Sequence, residues 1–184
     1  MTRYVALLRG INVGGNNPIK MSALKACFEK HGFHGVTTYI ASGNVLFDAD
    51  GAKAAALGAT IEAALSKTFD YRASVVLRSA KQMRDTLTRA PKGFGTQRDK
   101  YRYDVLFLKE PLTPAAALRS VVATPGVDEV HTGPGALYFS RLVARVTESQ
   151  LPKLLGTAAY KSMTIRNYNT TAKLVALLDT SAVL

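Results

Sequence analysis

The spacing of apolar positions changes several times along this 184-residue chain, and each change marks an element. RYVALL, residues 3–8, is a short unbroken apolar run and predicts a buried strand. In MSALKACFEKHG, Met21, Leu24 and Phe28 recur at helical spacing, and Gly32 stands where a helix ends. GVTTYIA then alternates Val36, Thr38 and Ile40 against Thr37, Tyr39 and Ala41. VLFDA begins just past Ser42, Gly43 and Asn44, so two strands and a short Ser-Gly-Asn turn predict a hairpin. An Ala-rich helix through Leu57, Ile61 and Leu65 to Phe69 and a strand at ASVVLRS complete the order β-α-β-β-α-β.

The rest of the chain repeats that order. A helix at AKQMRDTLTRA and a polar loop at PKGFGTQRDK lead to a strand at RYDVLFL, a helix at PAAALRSVV, and a hairpin of VDEVHT and ALYFSR about GPG. TESQLPKLL predicts a helix with Thr147 as N-cap and Pro152 in its first turns. MTIRNY is a strand, and TTAKLVALL a last helix capped by Asn169 or Thr170. The fold class expected is α+β, two ferredoxin-like (split βαβ, α/β-plait) subdomains with antiparallel sheets covered by helices. Residues 1–80 form the first, 81–100 a helix and basic loop linking them, and 101–184 the second with its C-terminal helix. With the first strand running up, its helix down and the second strand up again, RGINVGG and Ser42-Gly43-Asn44 are expected at one end of the first sheet.

Composition narrows the class of protein. With 47% apolar and 20% charged residues the chain is expected to be globular. Its apolar runs are far shorter than the ~20 residues of a membrane span, and no signal-like segment opens it, so a cytoplasmic protein without membrane contact is expected. Cys27 alone makes no internal disulfide and is read as a small buried hydrophobe. Cys27, His31 and His34 lack a carboxylate at ligand-like spacing, so no metal is expected, nor any cofactor.

The formal charge is +11, and residues 72–102 hold nine basic residues against Asp85 and Asp99. Such an excess draws polyanions or phosphorylated ligands. In RAPKGFGTQRDKYRY the cations Arg89, Lys92, Arg98, Lys100 and Arg102 are interleaved with Phe94, Tyr101 and Tyr103. Single-stranded nucleic acid surfaces use aromatic rings among cations. A solvated helix face and a strand starting at Tyr101 account for the same residues.

RGINVGGNN carries the other candidate chemistry. Gly10 and Gly15 have Walker A spacing, yet Asn16 and Asn17 stand where Lys and Ser/Thr are required, and the three-glycine dinucleotide pattern is absent. What remains is a turn whose backbone N–H groups converge on an anion between Arg9 and Lys20, ahead of a helix N-terminus. A plain structural turn explains the glycines equally well, while leaving Arg9 and the amides of Asn12, Asn16 and Asn17 without a role. In RNYNTTAK, capping explains Asn169 and Thr170 but not Arg166, Asn167 and Lys173. The set Ser22-x-x-Lys25, Ser42-x-Asn44 and His131-Thr-Gly133 imitates penicillin-binding enzymes, whose fold needs a longer chain.

YVALLRGINVGGNN, KMSALK, TYIASGNVLF and RNYNTTAKL together resemble a bacterial family known only as a conserved domain of unknown function. The resemblance spans nearly the whole chain and implies two α/β-plait subdomains, with no established reaction, substrate or catalytic residue. The matching positions are Arg9, Gly10, Asn12, Gly14, Gly15, Asn16, Ser42, Gly43, Asn44, Arg166, Asn167, Asn169, Thr170 and Lys173, none with an assigned role.

Three readings stand. In the first, Arg9, Asn12, Gly14, Gly15, Asn16, Lys20, Ser42, Gly43 and Asn44, with Arg166, Asn167 and Lys173, bind a phosphorylated small molecule or nucleotide. In the second, Arg89, Lys92, Phe94, Arg98, Lys100 and Arg102 bind nucleic acid. In the third, the motifs are structural and the partner is a protein. No carboxylate pair, triad or metal set fixes a reaction, so the sequence commits to neither catalysis nor its absence.

Overall fold

The computed structural model describes residues 1–50 and 54–180. They divide into two compact units, Met1–Met83 with the residues from Leu174 on, and Arg84–Lys173. The segment read as a linker therefore falls with the second unit from Arg84 onward, and the boundaries lie inside two helices.

The first unit runs β1 (Thr2–Leu8), α1 (Met21–Lys30), β2 (His34–Tyr39), β3 (Asn44–Ala49), α2 (Ala54–Phe69), β4 (Val75–Ser79). Its antiparallel sheet has the order β2-β3-β1-β4, that of a ferredoxin-like unit. Ala6, Leu8, Val45 and Phe47 pack under Leu24 and Phe28 of α1 and Leu57, Ile61 and Leu65 of α2. Phe28, Phe33 and Phe47 meet with ring centroids 4.8–5.6 Å apart. Val5, Leu7, Leu46 and Val76 of the alternate positions are also buried, which explains why these strands read as unbroken apolar runs. Cys27 is buried on α1, its thiol 3.5 Å from Thr68 Oγ1.

The second unit repeats the topology: β5 (Tyr101–Leu108), α4 (Pro114–Arg119), β6 (Asp128–Gly133), β7 (Ala136–Leu142), α5 (Leu151–Leu154) and β8 (Met163–Asn167), with the end of α3 (Ala80–Thr88) before it and the start of α6 (Tyr168–Thr180) after it. Its sheet order is β6-β7-β5-β8. Leu106, Leu108, Leu137, Phe139 and Met163 form its core with Ala117 of α4 and Leu151 and Leu154 of α5.

Two helix starts differ from expectation. Thr147 caps nothing: residues 143–148 are a 3₁₀ segment, Ser149 is extended, and α5 starts only at Leu151. A helix opening at Thr147 would need an N–H at Pro152, which has none. Asp128 Oδ2 also accepts from Thr124 N (3.0 Å) and Gln150 N (2.9 Å), holding the approach to α5 in a turn. In α6 the cap is neither Asn169 nor Thr170. The helix begins at Tyr168, and Asn167 Oδ1 accepts from Thr170 N at 2.8 Å.

The two halves share a junction that sequence identity conceals. β4 ends Arg78-Ser79 and β8 ends Arg166-Asn167, each passing directly into a helix. Both arginines are buried, each donating from Nη1 to the preceding carbonyl at 2.8 Å. Ser79 and Gln82 cap α3 reciprocally, while Asn167 caps α6.

Candidate functional site

In the first unit RGINVGG and the Ser-Gly-Asn turn do lie together. Leu8 N donates to Gly43 O (2.8 Å) and Arg9 N to Ser74 O (3.0 Å). Asn12, held at φ 52°, donates from Nδ2 to Ile19 O (2.9 Å) and Ala41 O (2.8 Å) and accepts from Ile19 N (2.8 Å) on Oδ1. Its amide straps the loop to the hairpin turn. Asn17 Nδ2 closes the loop on Gly10 O at 2.8 Å. Asn44 is fully buried, donating to Tyr39 O at 2.8 Å. Gly43 sits at φ 86°, where a Cβ would come 2.7 Å from Ile11 Cδ1. A plain turn therefore does give Asn12 and Asn17 a role, contrary to the expectation from sequence.

The remaining loop candidates differ in exposure. Gly14 (φ 59°), Gly15 (φ 79°), Asn16 and Lys20 are exposed, and Arg9 and Ser42 are half-buried. Lys20 precedes α1 in extended conformation with no side-chain cap. Of the distal set, Arg166 is 7% exposed and donates to Thr164 Oγ1 (2.9 Å) and Ile165 O (2.8 Å); burial pushes its pKa down to about 10. Lys173 is exposed on α6, and Asn167 is exposed at the cap. These three belong to the second unit.

The second unit contains a cleft of about 370 Å³ where β5 begins and β8 passes into α6. Arg98, Arg102 and Arg141 bring positive charge to it, Tyr101, Tyr103 and Tyr168 bring rings, and Asn167 and Asn169 bring amides. Its one acid, Asp104, accepts from Arg141 Nη2 at 2.7 Å. Burial pushes the Asp104 carboxyl above its ordinary value, and the Arg141 and Arg102 charges pull against that. Arg141 Nε is buried without a hydrogen-bond partner. Arg98 is fixed by Nε donating to Gly95 O (2.9 Å), with its guanidinium over the Tyr168 ring at 5.1 Å. Asn167, which also lines the cleft, uses its side-chain oxygen for the cap.

The basic loop is anchored by its aromatic residue. Phe94 meets Tyr103, Tyr138 and Tyr168 edge to face, with centroids 4.9, 5.2 and 5.9 Å away. Behind it, Tyr138 Oη donates to Thr86 O at 2.6 Å, and burial pushes the phenol up to about 12. On the other flank a second cavity of about 300 Å³ is lined by Lys92, Phe94, Lys100, Tyr101, Tyr103 and His131, among others. Of the nucleic-acid candidates, Arg98 and Arg102 thus line the first cavity and Lys92, Phe94 and Lys100 the second. Arg89 lines neither. It lies just past α3, close enough for its charge to act on the Tyr138 phenol.

Sequence reasoning missed Asp104, Arg141 and Tyr168 as site residues. The one signal was Asp104, a charge inside an apolar strand run. Among the described residues, no three of His, Cys, Asp or Glu are placed to hold a metal, and no helix is long and apolar enough to cross a membrane.

Fold and cleft define an α+β protein of two ferredoxin-like units with a basic, aromatic-walled cleft in the second. The chain belongs to the family described as "Protein of unknown function (DUF1697)", whose model matches residues 1–138. The RNYNTTAK segment lies beyond the matched stretch. Among solved structures it is similar to the conserved bacterial protein SP0830 from Streptococcus pneumoniae, at 29% identity over 96% of this chain and 98% of that one, with a TM-score of 0.84. No curated protein matches.

Proposed function

We propose that the protein binds a phosphorylated, nucleotide-like ligand in the cleft of the second unit. The observation that carries the reading is a cleft lined by three arginines, three tyrosines and a single, already paired aspartate. Arginine forks suit phosphate oxygens, tyrosine rings suit a base, and the Asn167 and Asn169 amides suit its edge. At about 370 Å³ the cleft is of small-ligand size. The sequence placed such a ligand over the first sheet instead. There the amides of Asn12, Asn17 and Asn44 are engaged in the loop and hairpin themselves, which supports the structural-turn reading of RGINVGGNN. The reading assigns binding and no reaction, in a cytoplasmic setting.

The test is thermal unfolding and calorimetric titration with nucleoside triphosphates. A ligand at ~100 times its Kd stabilises the fold by roughly 2.7 kcal/mol. Arg102→Glu should weaken binding about tenfold or more, a loss of roughly 1.4 kcal/mol, and Lys20→Glu should leave it unchanged. The opposite pattern would return the site to the first unit.

A further inference from the structure

We infer that the physiological ligand is a single strand of nucleic acid crossing Tyr101 and Tyr103, an inference that rests on the cleft reading above. Both tyrosines line both cavities, so the two spaces meet along the same stretch of β5. The tyrosines are two positions apart on β5 and therefore point to one face, with ring centroids 6.1 Å apart. Cations flank the pair on each side: Arg98 and Arg102 at the first cavity, Lys92 and Lys100 at the second, all exposed. The second cavity has one acid, Glu129, against its two lysines.

Each cavity, at about 370 and 300 Å³, is near the lower bound for a small-ligand site and suits roughly one nucleotide. A lone nucleotide would fill one cavity and leave the cations of the other without phosphate. A strand of two or more nucleotides fills both, its backbone passing from the arginines to the lysines and its bases against the rings. This stretch of β5 is also held in shape. Phe94 packs edge to face on Tyr103 at 4.9 Å, and Gln97 N donates to Tyr103 Oη at 3.4 Å. An acidic peptide would match the cations but make no use of the rings.

The experiment is fluorescence anisotropy with labelled oligo-U and oligo-dT of one, two, four and eight nucleotides, with poly-glutamate as competitor. Wild-type affinity should rise at least tenfold from one nucleotide to four. The Lys92→Glu/Lys100→Glu double variant should lose that gain yet bind the mononucleotide as wild type does, and Lys92→Arg/Lys100→Arg should restore it. Arg102→Glu should weaken both. For each phosphate contact removed, the log–log salt slope should fall by about 0.7. Affinity independent of length, or octamer binding untouched by the double lysine reversal, would overturn the strand and leave the nucleotide site standing. Poly-glutamate competing as well as the octamer would overturn it in favour of an acidic protein. No binding of any length would overturn both, and oligo-U against oligo-dT separates RNA from DNA.

Discussion

Asn12 offers the sharpest test of whether RGINVGGNN straps the fold or cradles a ligand. Its side chain makes three hydrogen bonds of 2.8–2.9 Å, to Ile19 O, from Ile19 N and to Ala41 O. Asn12→Gly removes all three while keeping a residue that tolerates φ 52°. At a net ~1 kcal/mol for each bond, the loss comes to about 2–3 kcal/mol. In a chain of this size that lowers the melting temperature by roughly 4–12 °C. Asn12→Ala should lose about 1–2 kcal/mol more, because alanine resists the left-handed conformation. Urea and thermal unfolding read both variants, and titration with nucleoside triphosphates reads their function. The strap account expects stability to fall in both and nucleotide affinity to hold while the protein is folded. A change in stability below about 0.5 kcal/mol with affinity abolished would refute it.

Three further contacts are probed by substitution. Gly43→Ala forces a Cβ to 2.7–2.9 Å from Ile11 and Leu8 at φ 86°. It should destabilise by about 2–5 kcal/mol in urea unfolding, whereas Gly15→Ala, with open space around it, should lose only about 1–2 kcal/mol. Gly95→Ala puts a Cβ 2.5 Å from Tyr168 Cε2 at φ 84°, so it should displace the ring under Arg98 and abolish nucleotide binding in a titration; Gly93→Ala, whose Cβ meets only Thr96 Oγ1 at 3.8 Å, should not. Tyr138→Phe should lose about 1–3 kcal/mol at neutral pH with the bond to Thr86 O. The Tyr138 phenol is raised from 10.0 to about 12. Its contribution is therefore complete below pH ~10 and lost as pH rises through about 12, so the gap between wild type and variant should close over that window in alkaline unfolding.

The first unit was legible because its information is local. Period changes mark β1, α1 and the hairpin, and the up-down-up course of strand, helix and strand brings the Gly-rich loop near the Ser-Gly-Asn turn, where Leu8 N bonds Gly43 O. What Asn12 does there was not legible, since its partners Ile19 and Ala41 come from separate segments. In the second unit, Thr147 looked like a cap by residue type, and the turn held by Asp128, twenty-two residues before Gln150, decides otherwise. The cleft was half visible: Arg98, Tyr101, Arg102 and Tyr103 lie in one string. Arg141 reaches Asp104 only through the β5–β7 pairing, and Tyr168 reaches Arg98 only through the packing of the basic loop. Pairing between distant strands leaves no periodic trace in sequence.

The most direct measurement is amide chemical-shift mapping of the protein titrated with a nucleoside triphosphate. The account predicts shifts at Arg98, Tyr101–Asp104, Arg141 and Asn167–Asn169, lost in Arg102→Glu. Shifts confined to Arg9–Lys20 and Ser42–Asn44, or absent throughout, would contradict it.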